Sequence, residues 1–197
     1  MKRQSITPCF HLLILHKKQH AQGVPPDRPK NGLPGELRVG PGVNSMNVFE
    51  EFKRLVMELE KHKVRYALVG GVAMAFYTEP RFTRDIDLLV DSEDYERTKG
   101  ILEKDGYFES ASPWTFRNVA IELHRFLKVT PEDEMMIDIL VAKDEKVRRI
   151  IQDAVEAKSE EGRVILANKK DLIWLKRMRD SKQDQADIEK LEDDKNR

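Results

Sequence analysis

Cysteine is almost missing: Cys9 is the only one in 197 residues, so no intramolecular disulfide and no cysteine-ligated zinc site can form. Long apolar runs are missing too, none approaching the roughly 20 residues that a membrane-spanning helix needs. Net charge of either sign is absent, because 35 basic residues balance 35 acidic ones, as expected of one domain with a solvated, salt-rich surface. These absences lead to the expectation of a cytoplasmic protein with no membrane partner.

Proline and glycine are unevenly spread. Six of the nine prolines and five of the ten glycines precede Met46, a density that argues against a packed core. Residues 1–45 are therefore expected to form a disordered tail. Lys2 and Arg3 followed by the apolar residues 9–15 imitate the opening of a signal peptide, but His11 interrupts the run and His16-Lys17-Lys18 ends it without a small-residue cleavage site. Met46 precedes Asn47, a fair helix N-cap. It is expected to be the native start, with residues 46–197 as the folded domain.

The informative stretch is residues 68–90, LVGGVAMAFYTEPRFTRDIDLLV. Asp85 and Asp87 flank Ile86 and run into Leu88-Leu89-Val90, which reads as a buried strand. Alternation puts both carboxylates on one face, roughly 6.5–7 Å apart at about 3.3 Å per residue. Two ionised groups at that distance repel by about 2–3 kcal/mol at an effective dielectric near 20. A divalent cation such as Mg²⁺ offsets this, since it takes hard oxygen ligands from one or two carboxylates, waters and phosphates. An arginine neighbour is the plainer alternative.

Gly70 and Gly71 lie between the short strand 66–69 and a helix start at 72–77. Without Cβ atoms they let a ligand approach the backbone, and free N–H groups at a helix start favour phosphate; a tight turn is the plainer use of such a pair. Asp138 sits alone inside the apolar strand 135–141, where an unpaired charge is costly. Either it is ion-paired, or it faces the same cleft as a third metal ligand or the base that activates an attacking hydroxyl. The cleft is the favoured reading.

Gly70-Gly71, then after thirteen residues Asp85-Ile86-Asp87, then Asp138 between hydrophobics, together resemble the polymerase-β-like nucleotidyltransferase superfamily. Within it, Arg81-Phe82-Thr83-Arg84-Asp85-Ile86-Asp87 is similar to the Arg-x-Thr-x-Asp-hydrophobic-Asp segment of the small abortive-infection toxin nucleotidyltransferases. The resemblance covers residues 48–191 and includes 170–177 and 182–187, which look like that group's C-terminal helices. It implies an α+β fold, a mixed β-sheet flanked by helices, with Mg²⁺ or Mn²⁺ held by Asp85, Asp87 and Asp138. It also implies in-line attack of a hydroxyl on the α-phosphorus of a nucleoside triphosphate. Gly70 and Gly71 would line the triphosphate. Many members carry glycine-serine at that motif, so a phosphate-binding hydroxyl is missing here.

Further candidates are weaker. Arg81 and Arg84 flank the metal strand and, with Thr83, are candidate nucleotide-binding residues, an Arg fork suiting phosphate oxygens. Lys169, Lys170, Lys176, Arg177 and Arg179 form an apparent basic patch, which more often is a solvated helix face. Glu122 and His124 share a face of a strand, and a turn near Pro131 and Glu132 is expected to bring His124 roughly across from Asp138. Otherwise the pair is a surface histidine beside a glutamate.

Around these motifs the spacing predicts a helix over 48–62, a Ser92-capped helix to about Asp105, strands at 114–116 and 121–129, a hairpin into the Asp138 strand, and a helix spanning Val147 to Val155. A strand at 163–166 follows, with Asn168 and Asp171 capping the C-terminal helices. The leading functional expectation is transfer of a nucleoside monophosphate to a hydroxyl on a protein, a tRNA end or a small molecule. A weakly active or inactive fold acting as the partner of a cognate toxin or antitoxin is the alternative. A sugar transferase using Asp-x-Asp is disfavoured by the glycine pair and the small size.

Overall fold

The computed structural model of the chain describes residues 46–79, 83, 85–116, 119–131, 133–159 and 162–193. Among them, eight strands form one mixed sheet in the order β3 (Phe108–Glu109), β5 (Ile121–Val129), β6 (Glu134–Ala142), β2 (Asp85–Asp91), β1 (Tyr66–Val69), β8 (Gly162–Leu166), β7 (Val155–Ser159), with β4 (Trp114–Thr115) pairing on β5. The centre is made of near-continuous apolar runs: β1 (Tyr66–Val69), β2 (Asp85–Asp91) and β6 (Glu134–Ala142). Such runs can be buried on both faces only if helices cover the sheet.

Helix α1 (Val48–Lys61) opens the domain. Its Phe52, Leu55, Val56 and Leu59 recur at helical spacing and are all buried in the core. The chain then enters β1, and α2 (Gly70–Met74) follows with no intervening loop. β1 returns antiparallel on β2, pairing Val69 with Asp87. A short 3₁₀ turn (Ser92–Asp94) leads into α3 (Tyr95–Lys104). Ser92 is not the cap expected there: the preceding Asp91 carboxylate accepts the Glu93 N–H at 3.1 Å, an Asp at the start of the turn meeting its orphan donor as well as Ser would.

The peripheral strands β3 (Phe108–Glu109) and β4 (Trp114–Thr115) pair with β5 (Ile121–Val129), which forms an antiparallel hairpin with β6. β6 runs parallel to β2 with Asp87 opposite Asp138. Helix α4 (Glu145–Gln152) is shorter than the spacing suggests. Val155 begins β7 (Val155–Ser159), which turns back into β8 (Gly162–Leu166), and β8 pairs with β1 through a parallel bridge. The correction has a simple cause: Val155 fits a helical stripe with Val147 and Ile151, yet a β-branched residue this close to a helix end is equally at home in a strand. Asn168 caps α5 (Lys169–Arg179) by accepting the Asp171 N–H at 3.0 Å. Ser181 and Asp184 form a reciprocal capping box at the start of α6 (Lys182–Glu192). No helix of the described residues is long and apolar enough to cross a membrane.

Candidate active site

The parallel pairing of β2 with β6 puts Asp87 and Asp138 side by side, and Asp85, two residues earlier on β2, shares their face. Each is held differently. The Thr83 hydroxyl donates to Asp85 Oδ1. Asp138 is buried and receives a two-pronged bond from Arg125, Nε to Oδ1 and Nη2 to Oδ2, each 2.8 Å. Asp87 is buried against the glycine pair and accepts the Gly71 N–H.

Gly70 explains that last contact. Its backbone is left-handed, φ +64°, and a Cβ placed there would lie 1.8 Å from Asp87 Oδ2. The missing side chain is the space in which the Asp87 carboxylate sits. The glycine pair thus serves a carboxylate of the protein itself, a role that its reading as a phosphate-lining turn does not include.

Burial, then the negative charges of Asp85 and Asp138, push the Asp87 carboxyl up to about 7, opposed in part by Arg179 and the Gly71 N–H. The guanidinium of Arg125 is correspondingly strengthened, first by its bonds to Asp138 and then by the charges of Asp138, Asp85 and Asp87. Arg179 is also raised, first through its fork on Asp184, at 2.7 and 2.6 Å, with Asp87 and Asp85 adding to it. Two guanidiniums therefore bear on the acid cluster. Sequence reasoning assigned neither of them there.

Asp87 and Asp138 open into a cavity of about 190 Å³. Gly70, Asp87, Asp138 and Arg125 form its polar end; Phe116, Leu123, Leu140 and Leu175 are among the apolar walls. Arg179 and Lys176 reach it from α5. The expected basic patch loses Lys176, while Lys170, Arg177 and Arg179 are exposed. Lys176 is buried and donates to the fully buried Asp187 at 2.6 Å, and the half-exposed Arg179 is tied to the buried Asp184, so two charge pairs clamp α5 and α6 together. Lys170 is exposed on the first turn of α5 and does not line the cavity.

His124 is a correction. The hairpin pairs Val129 with Glu134, and counting outward brings Arg125 opposite Asp138, whereas His124 faces Ile139. A shift of one residue reverses the face, so His124 and Glu122 point to the other side of the sheet. There His124 stacks on Tyr95 with ring centroids 4.2 Å apart. Its Nδ1 lies 2.7 Å from both the Tyr95 hydroxyl and Glu109, and its Nε2 lies 2.8 Å from Glu122. This is a structural clamp between α3 and the sheet. Arg81 and Arg84 lie outside the described residues.

The donor set suits a hard divalent cation: all oxygen, carboxylates from one sheet face, and an Asp87 whose ionised form burial and its neighbours oppose and a cation would favour. Among the described residues no three His, Cys, Asp or Glu side chains converge on one ion position. Both oxygens of Asp138 are bound to Arg125. Asp85 and Asp87 offer carboxylate oxygens on the same face of β2, a donor type that suits such an ion.

A family model described as uncharacterised nucleotidyltransferase matches residues 2–167. The chain belongs to this family. Solved structures share the nucleotidyltransferase's fold. A lincosamide antibiotic adenylyltransferase, LnuA, determined with lincomycin bound, superposes with a TM-score of 0.54 at 18% identity over 76% of this chain and 99% of that one. TM1012 of Thermotoga maritima gives 0.50 at 13% identity over 73% and 94%. A sequence comparison with curated proteins returns no match. The nucleotidyltransferase is thus an enzyme of the polymerase-β-like class, with the mixed sheet and C-terminal helices that its motifs imply.

Proposed function

We propose that this enzyme moves a nucleoside monophosphate from a triphosphate to the hydroxyl of a small, partly apolar acceptor, in a metal-dependent reaction at Asp85, Asp87 and Asp138. One observation carries the reading: the cavity that has buried Asp87 and Asp138 at one end is walled by Phe116, Leu123, Leu140 and Leu175. An apolar cavity with a few placed polar groups is the usual form of a small-molecule site. LnuA, similar in fold, was determined with the small molecule lincomycin bound, which supports the same acceptor class here.

In this reading Asp85 and Asp87 hold Mg²⁺ or Mn²⁺, with Asp138 joining them. The bound ion supplies charge neutralisation on the phosphate oxygens. The rest falls to the chain. Gly70 keeps the backbone close to the carboxylates, and the apolar walls exclude water and orient the acceptor. Asp138, at the cavity's polar end, takes the hydroxyl proton. The acceptor oxygen bonds to the α-phosphorus while the bond from that phosphorus to the bridging oxygen of pyrophosphate breaks, and pyrophosphate leaves with the electron pair.

The test is to incubate the full chain with α-labelled triphosphates, Mg²⁺ or Mn²⁺, and a panel of hydroxylated small molecules, protein and tRNA. Label on a small molecule, abolished by chelation of the metal, is expected. Label on protein or tRNA alone would reject the acceptor class. Neither labelling nor metal-dependent triphosphate binding would favour a partner-protein role in a toxin–antitoxin pair.

A further inference from the structure

Arg125 does two things at once that are hard to reconcile with a passive role. Its fork takes both oxygens of Asp138, at 2.8 Å each, and while it does so the three carboxylates do not converge. The same side chain lines the cavity, and its guanidinium lies 5.4 Å from the centroid of the Trp114 ring. Of the two partners Arg125 is the one with room to move: its side chain is 36% exposed, that of Asp138 only 6%.

We propose that Arg125 exchanges partners. It pairs with Asp138 before nucleotide enters, then turns to the triphosphate and leaves Asp138 to the metal. The inference rests on the nucleotidyl-transfer reading given above. A planar guanidinium fork fits phosphate oxygens as well as carboxylate oxygens. The exchange leaves no charge unpaired: the triphosphate supplies anions for Arg125 as the cation takes over Asp138. That matters because a buried carboxylate stripped of its partner is costly. The arginine thereby links metal affinity to the presence of nucleotide, so that the third carboxylate becomes available when there is substrate to act on.

The two halves of the exchange predict opposite shifts. In Arg125→Gln, calorimetric titration with Mn²⁺ alone should show roughly tenfold tighter binding, because Asp138 is free and a nearby cation is gone. Binding of α,β-methylene ATP or GTP with saturating Mg²⁺ should weaken about tenfold or more, the loss expected for a charge-assisted contact. Arg125→Lys keeps the charge and should fold even if the glutamine variant does not, while losing the fork; it should shift both affinities in the same opposed directions by less. If the two affinities fall together, or neither moves, in either folded variant while wild type binds both probes, Arg125 is a structural tie and the exchange is wrong. If wild type binds neither probe, the nucleotidyl-transfer reading falls and takes this inference with it.

Discussion

Replacing Gly70 with alanine tests how tightly the acid cluster depends on one missing side chain. Two costs add. The left-handed backbone at φ +64° disfavours any L-residue by roughly 1–2 kcal/mol. The new methyl would also stand 1.8 Å from Asp87 Oδ2 and 2.7 Å from its Cβ, so either the strand or the Asp87 side chain must shift, and overpacking of this kind costs about 1–3 kcal/mol. The sum is about 2–5 kcal/mol, and at roughly 2–4 °C per kcal/mol for a domain of this size the melting temperature should fall by about 5–15 °C. Gly100 supplies the control. It lies inside α3, and a Cβ there meets nothing within 4 Å, so Gly100→Ala should stabilise by about 0.5–1 kcal/mol through helix propensity. Urea denaturation of the two variants beside wild type decides the matter. A Gly70→Ala protein within about 0.5 kcal/mol of wild type would refute the argument that the glycine exists to admit Asp87.

Two further outcomes concern the clamp between α5 and α6. Lys176→Met removes the cation paired with Asp187, which is fully buried and keeps the Gln183 amide at 2.9 Å, and should cost about 3–5 kcal/mol in chemical denaturation, with Lys176→Met combined with Asp187→Leu recovering part of it; a single-variant loss under about 1 kcal/mol would contradict the clamp. Burial alone would raise the Asp184 carboxyl, but the Arg179 fork and Ser181 overcome it and hold the group at about 2. A depressed carboxyl stabilises the fold above its unfolded-state value and loses that contribution as the pH falls through the folded one. About 2 kcal/mol should therefore disappear between roughly pH 4 and pH 2, and Asp184→Asn should flatten that part of the stability profile.

The parts of the site legible in the sequence are those with local signatures. Asp85 and Asp87 stand two apart in an apolar run, Asp138 interrupts another, and period-two alternation fixes their faces without knowledge of the rest. The mixed sheet and the C-terminal helices came with the same motifs. Arg125 escaped because its placement depends on hairpin register, in which a one-residue slip exchanges it with His124 and reverses the face. Arg179 escaped for a different reason. Its approach to the carboxylates is set by how α5 lies across the sheet, and a basic residue near a helix C-terminus looks the same whether it faces solvent or a cleft. Gly70 was singled out for the right property, its lack of a side chain, but which group fills that space is a tertiary fact. The start of β7 is not legible because Val155 fits both periods.

The most direct test of the account is Asp87→Asn, read for stability and transfer in one preparation. Asparagine keeps the shape and removes a charge that burial, Asp85 and Asp138 all oppose, so the variant should melt no lower than wild type. It should nevertheless lose metal-dependent transfer of label from an α-labelled triphosphate, because one of the carboxylates proposed to hold the metal is gone. A folded Asp87→Asn protein that transfers label at the wild-type rate would contradict the account.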